Sequence, residues 1–397
     1  LKKMGLICMG LGVGFLLLEL LLRVFSVSFS VFYQLNPHTG FSLRPGLEAR
    51  YPKEGRNIIK ISSAGLRDRE HSKIKPENTF RIAVLGDSQA EAMGVPLETT
   101  FWAVMERKLN QCENFSGKQV EAVNFGVADF GTAQELMVLR HYAWDYSPDL
   151  VLLAISTSTD IRNNSRILDG LPVRPYFYYQ GNELKFDDSF LQSSEYKARS
   201  TWTAKVIYDF LAYSRTLQVL REARQRLMDD QTAQRKKRLE ENNEIEIDDA
   251  IREHNIFTMV YREPRDKLWQ EAWKITEGLL MLMNKEVIEK NARFLVVSLS
   301  DDQQVNPDPL ERERFEGEIG VKDLFYPAER IEAIGEKGGF QVLSLGKRFQ
   351  EFATKSKVFL HGFGESLGIG HFNKAGHKLA GETIAEHICR DFEKLGP

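Results

Sequence analysis

The chain has 397 residues, 42% hydrophobic and 27% charged, the proportions of a folded protein rather than a disordered or collagen-like one. Its 53 basic and 56 acidic side chains leave a formal net charge of -3, without the basic footprint that nucleic-acid binding requires. Three cysteines, Cys8, Cys112 and Cys389, lie far apart with no CxxC pair, which excludes a cysteine zinc site and a disulfide-dense scaffold.

The N-terminal end is strongly biased. After Lys2 and Lys3 the run Met4 to Leu18 is apolar, and it resumes after Glu19 until Arg23. A helix of about 20 such residues spans a bilayer core. Glu19 and Arg23, at i and i+4, can pair near the far interface and lower the cost of a carboxylate there. Residues 1–30 therefore read as a transmembrane anchor. A cleaved secretory signal peptide is the alternative, less favoured because the run is long and no A-x-A site follows it. Either way the positive charge ahead of the run places the rest of the chain on the extracytoplasmic side. In that oxidising setting Cys112 and Cys389 are free to form a disulfide if the fold brings them together.

Residues 31–76 read as a stalk that packs on the main domain, with a β-like piece at Asn57 to Ser62 and a turn from Ala64 to Asp68. From residue 77 to 397 short apolar runs alternate with helical patterns, the signature of a mostly parallel sheet covered on both faces. The expected strands are Arg81 to Leu85, Val120 to Asn124, Leu150 to Ile155, Phe294 to Leu299 and Gln341 to Leu345. Helices are expected between them, including Phe101 to Leu109 and Thr132 to Trp144. The fold class is α/β, a three-layer α/β/α domain on a five-stranded sheet. Residues 162–290 are too long for one crossover and read as an insertion, an irregular aromatic segment at Tyr176 to Tyr179 followed by a charged helical arm, Arg221 to Glu253. Its blocks of both signs, Arg235 to Arg238 against Glu240, Glu241 and Glu244, read as a solvated helix rather than an anion site. Gly10, Gly12 and Gly14 imitate a dinucleotide fingerprint, but they lie inside the apolar anchor with no strand before them. No cofactor is expected.

Two points carry the chemistry. Gly86, Asp87 and Ser88 end the first strong strand, and in a parallel sheet that end faces the ligand crevice. Ser88 there is a candidate nucleophile; the plainer reading is that Asp87 or Ser88 only caps the next helix. His371 lies on the loop before the last helical pattern, capped by Asn373, and can reach across the strand ends as general base. His377 falls inside that helix and reads as structural. His361 and His387 lack neighbours at ligand spacing, so no metal site is expected.

These points, in this order, resemble the SGNH/GDSL hydrolase superfamily, in particular its membrane-anchored members with a Glu and Arg closing the anchor. The resemblance covers most of residues 15–160 and 255–390. Gly86-Asp87-Ser88 matches the block that supplies the nucleophile. Asn124 to Thr132, with Gly126 within it, looks like the second block, whose glycine gives a backbone N–H to the oxyanion hole. Ser158-Thr159-Asp160 stands where the third block reads Gly-Asn-Asp, and His371 matches the histidine of the fifth. The resemblance implies a flavodoxin-like α/β/α fold and hydrolysis or transfer of O-acyl groups.

The sequence departs from that pattern at three places. Asp129 stands for the second-block glycine, although its backbone N–H remains. Thr159 replaces the asparagine whose amide donates to the oxyanion. The acid three residues before the histidine is Gly368, and Glu365 is the nearest local substitute. The expected protein is a membrane-anchored extracytoplasmic serine esterase or O-acyltransferase acting on acetyl or other acyl esters of glycans or lipids. The alternative is a degenerate member that binds a glycan or assists assembly of an envelope polymer. An α/β-hydrolase with a G-x-S-x-G-like elbow at Ser88 ranks last, because the serine follows the first strong strand.

Overall fold

The computed structural model describes residues 2–25, 27–224 and 258–392. The stalk segment carries four short strands in two antiparallel pairs: β1 (Tyr33–Asn36) with β2 (Gly40–Leu43), and β3 (Glu48–Arg50) with β4 (Ile58–Lys60). Their apolar side chains do not form a core of their own. Phe32, Leu43, Ala49, Ile59 and Ile61 are buried in one cluster with Leu85 and Leu153 of the main domain, so the segment is fixed to that domain by shared burial.

The main sheet contains β5 (Thr79–Gly86), β6 (Gln119–Asn124), β7 (Leu150–Ile155), β10 (Arg293–Ser298) and β11 (Gln341–Ser344). The numbering leaves β8 (Tyr176–Gln180) and β9 (Glu183–Asp187) for an antiparallel hairpin in the inserted segment. All five main strands run parallel, in the order β11-β10-β7-β5-β6. Each overlaps one of the apolar runs expected from the sequence. The runs are legible because a strand covered on both faces must be apolar at consecutive positions, and all six residues of β7 are buried.

Alternate side chains divide between two layers. Ile82, Val84, Leu152 and Val297 face the helices Phe101–Leu109, Gly346–Ser356 and Lys374–Asp391; Ala83, Leu85, Leu153 and Val296 face Thr132–His141, Lys267–Glu289 and Tyr326–Gly338. From β5 the chain turns first to β6 on one side and then to β7 on the other. That reversal opens a crevice at the carboxyl ends of β5 and β7, where open α/β sheets place their ligands.

Two expectations are revised here. The aromatic stretch from Tyr176, expected to be irregular, is strand β8. The last part of the supposed insertion is the buried 23-residue helix Lys267–Glu289, which packs on the sheet and is the crossover into β10. The charged arm from Arg221 lies, beyond residue 224, outside the described residues.

The N-terminal helix Lys2–Val24 has 23 residues, about 35 Å at the α-helical rise. Among the described residues it alone is long and apolar enough to cross a bilayer, and none of its apolar window is buried against the rest of the chain. Cys112 and Cys389 are bonded, with Cα atoms 6.1 Å apart and 277 positions apart in sequence. Closing so long a loop removes much denatured-state entropy, about 5 kcal/mol in the chain-entropy model. Cys389→Ser is therefore expected to lower the thermal midpoint by several degrees; a reducing agent should do the same to wild type and nothing further to the variant.

Candidate active site

Ser88 is the first residue of the short helix Ser88–Glu91, reached directly from β5. Asp87 caps that helix: its Oδ1 accepts the Gln89 backbone N–H at 2.9 Å. The cap is therefore Asp87, and the serine hydroxyl is left for another partner. That partner is His371, whose Nε2 lies 2.8 Å from Ser88 Oγ.

The histidine loop is tied down from several directions. Gln89 Oε1 accepts the Phe372 backbone N–H, Asp302 accepts that of Gly370, and the Gly370 carbonyl lies 2.6 Å from Nδ1 of buried His361. A carbonyl only accepts, so the His361 proton sits on Nδ1. Asn373 caps the following helix through the N–H groups of Ala375 and Gly376 and donates to the Phe359 and His361 carbonyls. Burial lowers His361 to about 4 and His377 to about 3, so both are neutral parts of the frame. His377 accepts the Phe101 N–H, in keeping with a structural role.

The other nitrogen of His371 meets a residue of the stalk. His371 Nδ1 lies 2.6 Å from Glu54 Oε2, which fixes the imidazole proton on Nδ1 and leaves Nε2 to accept from Ser88. Glu54 belongs to a one-turn 3-10 helix, Glu54–Arg56, in the loop between β3 and β4. Tyr51 N–H bonds the Asn57 carbonyl across that loop, and Asn57 donates to the Gly94 carbonyl. Gly55 has φ +64°, and a Cβ there would fall 1.8 Å from the Gly94 oxygen, so only glycine lets the loop sit so close to the body.

Burial alone pulls the His371 pKa down, but the hydrogen bond and charge of Glu54, with the charge of Asp87 behind them, hold it above its ordinary value. Burial pushes Glu54 up, and its bond to His371 outweighs this and leaves it below the usual carboxylate range. The two shifts agree in sense, as they must for a charge-assisted pair.

Glu365, the local substitute suggested by the sequence, is exposed on the turn Gly364–Ser366 while the Nδ1 it was to orient is held by Glu54. The position three before the histidine is closed to an acid by the backbone itself. Gly368 has φ +90°, and a Cβ there would lie 2.8 Å from the Phe359 ring.

The expected oxyanion residues divide. Gly126 packs against the nucleophile helix, where a Cβ would come within 2.5 Å of Ala90, and its N–H is taken by Asn124 Oδ1. Thr159 gives its one hydroxyl proton inward: Asp87 Oδ2 lies at 2.9 Å and the Ser156 carbonyl at 3.3 Å. Asp129 adopts the left-handed conformation, φ +61°, at the position where the related pattern has glycine. Its carbonyl accepts from Asn163 Nδ2 at 3.0 Å and from the buried Arg174 guanidinium at 2.6 Å. Neither the Ser88 nor the Asp129 backbone N–H has a hydrogen-bond partner among the described residues.

Beneath the site lie buried carboxyls. Burial raises Glu91 to about 8 although Tyr33 donates to it, so it is protonated at neutral pH. Burial pushes Glu135 and Asp160 well up, with the charge of Asp87 adding to Glu135 and the charges of Glu135 and Asp87 adding to Asp160. Beside Asp129 a cavity of about 830 Å3 opens, walled by Tyr33, Phe41 and Val173 on one side and by Ala204, Tyr208 and Asp209 on the other. Among the described residues no group of three or more His, Cys, Asp or Glu side chains is placed to hold a metal ion.

Glu54, Arg174 and Asn163 escaped the sequence reading. Arg174 and Asn163 carry no local signal in the sequence: Asn163 ends the helix Thr157–Asn163, and Arg174 stands between Val173 and Pro175. For Glu54 the signal was indirect: an acid was missing beside His371, and Lys53-Glu54-Gly55-Arg56 is an acid-glycine turn between two short strands.

No protein-family model matches the chain. No curated protein matches it either. Among solved structures it is similar to the acetyl xylan esterase AlAXEase, with TM-score 0.39 and 10% identity over 78% of this chain and 100% of that one. It is also similar to Axe2, an acetylxylan esterase from Geobacillus stearothermophilus, with TM-score 0.37 and 12% identity over 82% and 99% of the two chains. A third likeness is to LAE5, an α/β hydrolase enzyme from the metagenome of Lake Arreo, Spain, with TM-score 0.37 and 10% identity over 78% and 94%. Identities this low do not transfer a function. The parallel sheet, its strand order and its two helical layers are the fold that the SGNH/GDSL resemblance implies.

Proposed function

We propose that the chain is a serine esterase or O-acyltransferase, anchored by its N-terminal helix with the catalytic domain outside the cytoplasm, acting on ester-linked acyl groups of glycans or lipids. The single observation that carries the chemistry is the line Ser88 Oγ, His371, Glu54, with contacts of 2.8 and 2.6 Å. Ser88 Oγ attacks the acyl carbonyl as its proton passes to His371 Nε2. The resulting imidazolium is held by Glu54, whose carboxylate stays ionised. The backbone N–H groups of Ser88 and Asp129 are the free donors for the oxyanion. Collapse expels the alcohol, which takes the proton from Nε2 and leaves an acyl-serine. Water, or a second hydroxyl in a transferase, then attacks that ester with His371 again as base, and Ser88 regains its proton. The Cys112–Cys389 bridge supports an oxidising location, since such bridges persist outside the cytoplasm. The degenerate alternative draws on the altered oxyanion positions and the missing acid, and Glu54 beside His371 supports the enzymatic reading on the second of these.

The test is an alkyl fluorophosphonate probe on the detergent-solubilised full chain. Labelling at Ser88, absent in Ser88→Ala and in heat-denatured protein, is the expected result. A folded wild-type protein that takes no label and turns over no aryl acetate would remove the enzymatic reading.

A further inference from the structure

The helix Trp202–Tyr213 carries a broad apolar face. Its inner side lines the cavity with Ala204, Lys205, Tyr208 and Asp209, and Ala212 is buried against the body. Its outer side shows Trp202, Val206, Phe210 and Tyr213, at i, i+4, i+8 and i+11, with Ile207 beside them. These are 76%, 45%, 60%, 67% and 59% exposed, a continuous apolar stripe rather than scattered residues.

The anchor fixes where this stripe lies. Glu19, inside the apolar run, is met by the chain just after the helix: Ser214 Oγ, the Arg215 and Thr216 backbone N–H groups and Thr216 Oγ1 all donate to its carboxylate at 2.9–3.0 Å. Arg23 pairs with Glu19 at 2.7 Å and donates to the Tyr213 carbonyl at 2.9 Å. A carboxylate in an apolar span is tolerable only with such partners.

A bilayer core of about 30 Å takes about 20 helical residues, so a span beginning near Met4 ends near Val24. Glu19 then lies about 7 Å inside that end, and the residues that bond it cannot stand away from the membrane. Between residues 195 and 224 the chain also carries Lys197, Arg199, Lys205, Arg215, Arg221 and Arg224 against Glu195, Asp209 and Glu222. That excess of positive charge suits anionic head groups, and Trp and Tyr at the ends of the stripe suit the interface.

We infer that helix Trp202–Tyr213 rests in the head-group layer of the bilayer with Trp202, Val206, Ile207, Phe210 and Tyr213 among the lipid chains. This rests on the anchor reading above. The inner side of the same helix walls the 830 Å3 cavity at Asp129, so the cavity lies within one helix diameter, about 10 Å, of the membrane surface.

The test uses the full chain with Cys8→Ser, whose remaining two cysteines are bonded to each other, in vesicles of phosphatidylcholine and phosphatidylglycerol. An environment-sensitive fluorophore is attached in turn at Trp202→Cys, Phe210→Cys and, as a remote control, Lys355→Cys, and quenched with lipids spin-labelled high on the acyl chain. Quenching of about twofold or more at 202 and 210, with none at 355, is expected. Equal, weak quenching at all three in a chain that resists alkaline carbonate extraction overturns the interfacial helix and spares the anchor. Release of the chain by carbonate overturns both.

Discussion

Glu54→Gln is expected to lower kcat for a simple aryl acetate by about four orders of magnitude with little change in KM, the size of loss seen when an orienting acid is made an amide in a serine triad. The amide still fills the loop, but its NH2 group can face Nδ1 and favour the tautomer that presents an N–H to Ser88. Glu365→Gln, on an exposed turn, is expected to stay within about twofold of wild type. The pH profile separates orientation from a merely structural loss. Neutral His371 is the active form, and its pKa is held above the ordinary value of about 6.5 by Glu54. Activity therefore rises with pH through a midpoint above 6.5 in wild type. Without the Glu54 hydrogen bond and charge, the burial that lowers the ring is opposed mainly by the Asp87 charge, so the residual activity of Glu54→Gln should rise at lower pH. A variant within tenfold of wild type, with an unmoved acid limb, would take Glu54 out of the mechanism.

Why the proposed acid was invisible in sequence while the proposed nucleophile and base were not is a matter of what each residue depends on. Ser88 and His371 sit at the ends of elements with strong local signatures, a buried strand before one and a capped helix after the other. Topology alone brings such ends to one rim. Glu54 depends on tertiary packing: β3 and β4 have three residues each, and their place is set by Ala49 and Ile59 joining the core. Nothing in Lys53-Glu54-Gly55-Arg56 points to a histidine 317 residues away. The helix Lys267–Glu289 was legible in principle, since Trp269, Ala272, Trp273, Thr276, Leu280, Met283 and Val287 recur at helical spacing and are all buried. It was absorbed into the insertion because the long polar stretch before it obscured where the crossover began.

The oxyanion loop gives the second large effect. If the Asp129 N–H receives the oxyanion, what matters at that position is the backbone, held at φ +61° with its carbonyl pinned by Asn163 and Arg174. Asp129→Gly keeps that conformation without the side-chain penalty and restores the related pattern, so kcat is expected to stay within about threefold of wild type. Asp129→Val cannot hold the left-handed conformation comfortably, because a β-branched residue there is strained. The peptide should rotate, and the loss of one oxyanion donor costs about two to three orders of magnitude in kcat. Arg174→Met should act in the same direction through the carbonyl, with a larger loss of stability, because it leaves buried Asp169 without its partner at 3.2 Å. Fluorophosphonate labelling combined with kcat distinguishes the possibilities. A fall in turnover at Asp129→Val with Ser88 still able to deprotonate and label slowly points to the oxyanion. Equal turnover in the glycine and valine variants would mean that the Asp129 peptide does not face the reacting carbonyl, and the second donor would have to be sought elsewhere on the rim.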